Sequence, residues 1–315
     1  MTAADSKHWS GVKEVGALWG IRTLVFVYRV FGSAVFAVLL YPVVGYFFAR
    51  NGFARAASKD YLRRLAAYTG SDLAPNNRTS FRHFLSFARS IRDRLSALVG
   101  DISVDELVFP DRDVLIECVD QKCGALLIGA HIGSLEVCRA LAKYRDDIRL
   151  NILVYTAHAK NINRGLSVVD ERRNVELMEV SEINPGVAIR LKQKLDRGEL
   201  IVIVADRIPP TSDRIVEVEF LGSSACFPQG PFILAALLRC PVFTFFCVKQ
   251  GSKHRVLFER LSDRIMLRRG NREADLREYV VTYAARLAEC CRLAPLQWFN
   301  FFPFWERAER RLNGK

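Results

Sequence analysis

Short apolar runs alternate with polar segments of helical spacing through most of the chain after residue 110. Runs of this length that end at glycine, proline or charged residues are typical of buried β-strands. The predicted strands cover residues 124–130, 150–155, 175–180, 200–205, 216–220, 242–248 and 255–258. Because strands that alternate with helices pack in layers, the pattern predicts an α/β fold with a mixed sheet flanked by helices. We assign residues 111–315 to one such domain.

The first 110 residues show a different pattern, with apolar positions at helical spacing opposite a face of arginines. We predict amphipathic helices over Ser58–Thr69 and Ser80–Val99, separated by Pro75–Arg78. Val30–Ala49 is uncharged for about 20 residues, the length that spans a bilayer core. This stretch allows a single span, a helix pair that enters one leaflet, or a buried amphipathic helix. We predict that residues 1–110 form a helical, membrane-docking region.

The charge of the chain favours an anionic partner. Lysine and arginine number 46 against 34 aspartate and glutamate, a net charge of +12. A basic cluster, Arg50–Arg64, directly follows the uncharged stretch and suits the anionic surface of a membrane. An acidic carrier protein would also satisfy this charge. We predict no nucleic-acid partner, because no helix-turn-helix, zinc-finger or RNA-binding signature accompanies the basic residues.

The eight cysteines of the chain do not form a metal-binding pattern, since no Cys-x2-Cys pair is present. Cys226, Cys240 and Cys247 lie inside apolar stretches, so we predict core packing and a reducing compartment. No cofactor or metal is predicted. We expect the protein at the inner (cytoplasmic) membrane, with the α/β domain on the cytoplasmic face.

The sequence His131-Ile-Gly-Ser-Leu-Glu136 directly follows the predicted strand 124–130 and precedes a predicted helix. In open α/β sheets, turns at the carboxyl ends of strands are where ligands bind. A neutral His131 there can take a proton from an attacking hydroxyl, while Glu136 orients the imidazole and stabilises its charged form. The alternative is a partly buried histidine beside a glutamate that faces solvent.

Several motifs together resemble a known family. The chain is similar to the secondary lipid A acyltransferases of the glycerolipid acyltransferase superfamily, and within them to a branch encoded with aryl polyene and related polyketide pathways. The matching motifs are His131-x4-Glu136, Trp19–Arg22, Val154–His158 with Asn163-Arg164, Ala205-Asp-Arg207, Phe220–Gly222, Phe227–Pro231 and Ala294–Asn300. Leu296 stands where the lipid A enzymes usually carry glutamate, so the implied acceptor need not be lipid A itself.

The resemblance implies His131 and Glu136 as catalytic residues and a set of substrate-binding residues. The family motifs contribute Arg164, Arg207, Arg214, Gly222 and Gly230 to this set, and Asp206 and His158 are added because each follows a predicted strand. Guanidinium groups suit the phosphate of acyl carrier protein or coenzyme A. By sequence alone the arginines can be surface charges, the glycines turn residues and His158 a packed histidine. Asp206-Arg207 follows an apolar run, so it should reach the same sheet edge as His131.

These features lead to a hypothesis of acyl transfer from an acyl-carrier-protein thioester to a hydroxyl of a lipid or glycolipid, without a metal or covalent intermediate. The N–H groups of Gly133 and Ser134 are candidate donors to the oxyanion, although Ser134 can instead be a helix cap. The alternatives are an acyl-CoA-dependent lysophospholipid acyltransferase and a non-enzymatic membrane- or lipid-binding protein. A serine hydrolase is disfavoured because Gly-x-Ser-x-Gly is absent.

Overall fold

The computed structural model describes residues 38–99, 107–134, 145, 147–154, 174–179, 185–209 and 212–312. Its helices are α1 (residues 38–50), α2 (Gly52–Thr69), α3 (Asn77–Val99), α4 (Arg112–Asp120), α5 (Pro185–Leu195), α6 (Gly230–Leu238), α7 (Arg272–Leu293) and α8 (Glu306–Leu312). Its strands are β1 (Leu107–Val108), β2 (Leu126–Gly129), β3 (Leu150–Val154), β4 (Val175–Glu179), β5 (Leu200–Val204), β6 (Ile215–Phe220), β7 (Ser223–Pro228), β8 (Val242–Gln250) and β9 (Lys253–Ser262).

Seven of the strands in the described ranges form one mixed sheet, in the order β1-β9-β8-β2-β5-β3-β4. β8 and β9 are antiparallel, whereas β2, β5, β3 and β4 run parallel and β2 also runs parallel to β8. β2 is therefore central, with β5 on one side and β8 on the other. The predicted α/β fold with a mixed sheet and flanking helices is confirmed.

Both faces of the sheet are covered, which explains why its strands are continuous apolar runs. Leu126 and Ile128 of β2 pack with α5, α6 and α7, whereas Leu127 faces the side of α4. Cys226, Cys240 and Cys247 are buried, as predicted for core positions. Side chains that contact a ligand are consequently expected in the loops at the ends of the strands.

A separate hairpin, β6–β7, packs against the aromatic core beside the sheet. Leu221 and Gly222 both have positive φ and form its two-residue turn, a geometry typical of tight hairpins. The seven predicted strands are all present, but β1 and β7 were not predicted. β7 consists mainly of small residues, Ser-Ser-Ala-Cys-Phe-Pro, and owes its strand conformation to pairing with β6.

The amino-terminal helices lie where the sequence predicts helices, although residues 1–37 are outside the described ranges. Tyr61 and Leu62 of α2 belong to the same buried cluster as the central strand residues Leu126 and Ile128. Among the described helices, none has the length and apolar character needed to cross a membrane. The division of the chain at residue 110 and the membrane-docking role of the first part stay predictions.

Candidate active site

The pairing of β2 with β5 brings His131 and Asp206 together. In this parallel pair Gly129 lies opposite Val204. His131 follows Gly129 by two positions, and Asp206 follows Val204 by two positions. Both side chains therefore emerge at the carboxyl edge of the sheet, as expected for Asp206-Arg207 from the sequence. His131 Nδ1 lies 2.7 Å from Asp206 Oδ1, and the His131 backbone N–H donates to Asp206 Oδ2 at 2.9 Å.

The Asp206 carboxylate is fully buried and held from several directions. Its Oδ2 also accepts hydrogen bonds from Trp298 Nε1 and Asn300 Nδ2, each at 3.0 Å. Burial by itself raises the pKa of Asp206, but the charge and hydrogen bonds of His131, with the charge of Arg207, outweigh it and lower the pKa to about 2. Asp206 is consequently an anion at neutral pH.

The ionised Asp206 determines the tautomer of His131. A carboxylate only accepts hydrogen bonds, so the proton between the two side chains belongs to His131 Nδ1. In the neutral imidazole the lone pair then lies on Nε2. With 29% of its side chain exposed, His131 is partly accessible at the sheet edge, whereas its partner is not. This is the arrangement of a general base with a buried orienting carboxylate.

The segment 297–300 pairs with the turn that carries His131. Ile132 and Trp298 form an antiparallel bridge, Phe299 N–H donates to the His131 carbonyl at 2.8 Å, and Gly133 N–H donates to the Gln297 carbonyl at 2.8 Å. Trp298 and Trp305 are buried in an aromatic cluster, so these rings are core residues. The carboxyl-terminal part of the chain thus fixes both His131 and Asp206.

Arg207 lies at the same edge and contacts the same segment. Its Nε donates to Asn300 Oδ1 and its Nη2 to the Phe299 carbonyl, both at 2.9 Å, and its guanidinium lies 6.0 Å from the centre of the Phe302 ring. Asn300 therefore bridges Arg207 and Asp206 with its two amide atoms. This bridge holds a positive charge beside the His131–Asp206 pair.

The prediction that Gly133 and Ser134 donate to an oxyanion is wrong. The Gly133 N–H donates to the Gln297 carbonyl, and the Ser134 N–H donates to the Cys247 carbonyl at 3.1 Å. Gly133 adopts a φ of +59° where the turn passes close to β8. Both amides are used to attach this turn to neighbouring backbone, so support for an oxyanion must come from other groups.

His83 of α3 is a buried residue of this region that the sequence did not indicate. Its Nε2–H donates to the Trp298 carbonyl at 2.9 Å, so Nδ1 of the neutral ring accepts from the Ser58 hydroxyl at 3.0 Å, and Ser58 Oγ in turn accepts from Ser80 Oγ. The chain of hydrogen bonds links α2 and α3 to the Trp298 segment. The only sequence signal was the position of His83 beside the apolar residues of an amphipathic helix.

The burial of His83 predicts a loss of stability in mild acid. Burial lowers the pKa of His83 to about 4, against the opposing hydrogen bond to the Trp298 carbonyl. The unfolded chain binds this proton below about pH 6.5 and the folded chain does not, so stability falls between about pH 6.5 and 4, by about 1.4 kcal/mol per unit. We expect the free energy of unfolding, measured by urea denaturation, to be about 2 kcal/mol lower at pH 5 than at pH 7. His83→Gln should flatten this slope, and an unchanged slope in that variant would contradict the assignment.

Of the remaining predicted site residues, three lie within the described ranges. Arg214 is exposed in the segment before β6, Gly222 forms the hairpin turn, and Gly230 is the first residue of α6. A turn at Gly222 and the start of a helix at Gly230 are sufficient to explain why glycine stands at these two positions. Glu136, His158 and Arg164 lie outside the described residues. Trp298 and Asn300 were noted only within a family motif, and no local pattern marks them as partners of Asp206.

Comparison with known proteins gave one family. The model of a family described as bacterial lipid A biosynthesis acyltransferase matches residues 89–307, well over half of the chain. His131, Asp206, Arg207, Trp298 and Asn300 all lie within this matched range. A search of curated proteins found no match.

Proposed function

The chain belongs to the bacterial lipid A biosynthesis acyltransferase family and is an acyltransferase, and we propose that it moves a fatty or polyene acyl group from an acyl-carrier-protein thioester to a hydroxyl of a lipid or glycolipid. The observation that carries the proposal is the contact of His131 with the buried, ionised Asp206 at the carboxyl edge of the sheet. Membership of this family favours an enzyme over the non-enzymatic membrane-binding alternative.

In the proposed reaction, the acceptor hydroxyl attacks the thioester carbonyl while His131 Nε2 takes its proton. The new C–O bond forms, the C–S bond breaks, and the imidazolium returns the proton to the leaving thiolate. A thioester is already activated, so a base and electrostatic support suffice without a covalent enzyme intermediate. General-base action of this kind contributes roughly 10²–10⁴-fold to the rate.

Asp206 is the positioning residue of this mechanism, because it bonds Nδ1 and leaves the lone pair of neutral His131 on Nε2. The sequence assigned this task to Glu136, which stays a proposed catalytic residue by family resemblance. Arg207 is the proposed partner of the donor phosphate or of the oxyanion, because two hydrogen bonds hold its guanidinium beside the dyad.

We propose attachment to the inner membrane through α1, with the active site on the cytoplasmic face. Leu40 and Val44 of α1 pack inward against α3, whereas large apolar side chains on its other faces are exposed. The most exposed are Val38 (69%), Tyr46 (60%) and Phe47 (58%). Arg50 is exposed at the end of the same helix. An apolar face next to basic residues suits the interface of an anionic bilayer.

Phe47→Asp should weaken binding to phosphatidylglycerol vesicles by tenfold or more, because burial of a phenylalanine contributes roughly 1.5–3 kcal/mol. Co-sedimentation of the purified chain with these vesicles measures the effect. Leu237→Asp is the matched control, since Leu237 is similarly exposed but lies on α6. Equal losses in the two variants, or no binding by the unaltered protein, would refute attachment through α1.

The function is tested by supplying two donors with the same labelled acyl chain, one on acyl carrier protein and one on coenzyme A, together with bacterial lipid extract. We expect label to reach the lipid fraction as an alkali-labile ester, faster from the carrier protein. Faster transfer from coenzyme A to lysophospholipid would support the alternative donor. If neither donor delivers label to any lipid, the proposed function is wrong.

A further inference from the structure

A cavity of about 440 Å³ lies between α1, α3, the end of β8 and the turn after His131. Its walls include Gly133 and Ser134 of that turn, and Phe299, whose N–H donates to the His131 carbonyl. On the opposite side it is lined by Val38, Leu40 and Tyr41 of α1. The cavity therefore connects the exposed apolar helix with the backbone that carries the proposed base.

Among the described residues that line this cavity, Arg89 and Lys249 carry a positive charge. Lys249 Nζ lies 2.8 Å from Asp93 Oδ2, while Arg89 Nη2 donates to the Tyr41 hydroxyl at 3.1 Å. No carboxylate of the described residues forms an ion pair with Arg89. With two cations and one carboxylate, these three side chains carry a net positive charge, which favours an anionic ligand.

Gln297 fixes the backbone from which the Lys249 side chain extends. Its Oε1 accepts from the Lys249 N–H at 2.8 Å and its Nε2 donates to the Lys249 carbonyl at 2.7 Å. Gln297 also accepts the Gly133 N–H through its own carbonyl. Gln297 thus holds both the backbone of Lys249 and the turn that follows His131.

Ser134 adds an unused polar group to the wall. Its side chain is buried, and within the described residues its hydroxyl has no hydrogen-bond partner. A buried hydroxyl without a partner is unfavourable, and such groups often mark the place of a ligand or water. An alkyl chain would satisfy neither this hydroxyl nor the charged groups, whereas a polar, anionic headgroup can do both.

We propose that this cavity binds the phosphate-bearing headgroup of the lipid acceptor, with Arg89 and Lys249 as the phosphate contacts and Ser134 as a hydrogen-bonding group. The inference rests on the proposed function, because it assumes that the acceptor hydroxyl approaches His131. The acyl chains of the acceptor lie along α1, toward the bilayer. A headgroup held here keeps a lipid hydroxyl near the base and so favours phosphorylated over neutral acceptors.

The test compares lysophosphatidic acid with the monoacylglycerol of the same chain, two ligands that differ only in the phosphate. Binding is measured in neutral phosphatidylcholine vesicles with the His131→Ala protein, so that turnover cannot interfere. We expect tighter binding of lysophosphatidic acid, reduced roughly tenfold by Arg89→Gln or Lys249→Gln, as for loss of a charge-assisted hydrogen bond. Monoacylglycerol binding should not change.

Arg82→Gln is the matched control, because Arg82 is an exposed arginine of the same helix that does not line the cavity. It removes the same charge, so an equal effect in this variant would mean general electrostatic attraction and overturn the proposal. Ser134→Ala should weaken lysophosphatidic acid binding severalfold without lowering the unfolding midpoint, since the Ser134 hydroxyl forms no hydrogen bond to any residue in the described ranges. A lower midpoint would overturn the role of Ser134.

Two further ligands identify the source of the phosphate. If the Arg89 and Lys249 variants weaken phosphopantetheine binding but not lysophosphatidic acid binding, the cavity serves the donor and the proposal is wrong. It is equally wrong if inorganic phosphate binds as tightly as lysophosphatidic acid. Failure of the proposed function would show separately, as absence of acyl transfer by the unaltered enzyme in the labelled-donor assay.

Discussion

Asp206→Asn should lower the rate of acyl transfer by roughly 10²–10⁴-fold while the fold stays intact. Three donors converge on Asp206 Oδ2, from the His131 backbone, Trp298 and Asn300, so the amide oxygen of the variant must take that position. Its NH2 group then faces His131 Nδ1 and donates to it. The imidazole proton moves to Nε2, and the nitrogen that should accept the proton of the acceptor no longer has a lone pair.

The rate measurement is paired with NMR of ¹⁵N-labelled histidine, which distinguishes the two tautomers directly. A change of tautomer with an unchanged unfolding midpoint is the expected combination. His131→Ala should lose as much activity, and the double variant should be no worse than His131→Ala alone, because the two residues act as a unit. Multiplicative losses in the double variant would show that Asp206 acts independently of His131.

Glu136→Gln separates the two carboxylates that have been proposed to orient His131. We expect the Nδ1–H tautomer of His131 to survive in this variant, since Asp206 bonds that nitrogen at 2.7 Å. Loss of this tautomer in Glu136→Gln, and its retention in Asp206→Asn, would reverse the assignment.

Gly133→Ala is expected to destabilise the fold by about 3 kcal/mol or more and to abolish transfer. A Cβ atom built on Gly133 would lie 1.8 Å from the Cys247 carbonyl oxygen and 2.8 Å from its carbon. Cys247 is buried in β8 beside the central strand, so neither backbone can move without disturbing the sheet. The φ of +59° adds strain for any residue other than glycine.

Gly70→Ala is the control that isolates the steric clash. Gly70 has a similar φ of +62°, but a Cβ there meets no atom within 4 Å. The Gly70→Ala variant should therefore be less stable by only about 1 kcal/mol, which is the cost of placing an alanine in the left-handed backbone conformation. Urea unfolding of both variants measures the difference, and equal stability would mean that the turn after His131 tolerates a side chain.

The sequence predicted the mixed sheet because its strands are covered on both faces and so consist of uninterrupted apolar residues. β7 escaped prediction because its small residues have no strong preference and depend on β6 for their conformation. The same limit applies to His83, whose burial results from the packing of α2, α3 and the Trp298 segment.

The sequence by itself determined the α/β class, the strand that delivers His131 and the family to which the chain belongs, because local apolar patterns and short motifs encode these features. Only the tertiary structure decided that Asp206 bonds His131 and that Trp298 and Asn300 hold it. These partners are 75 to 94 residues apart along the chain. Their contact depends on the register of β2 with β5 and on the return of the carboxyl-terminal segment, and pairing between distant segments leaves no periodic signal in the sequence.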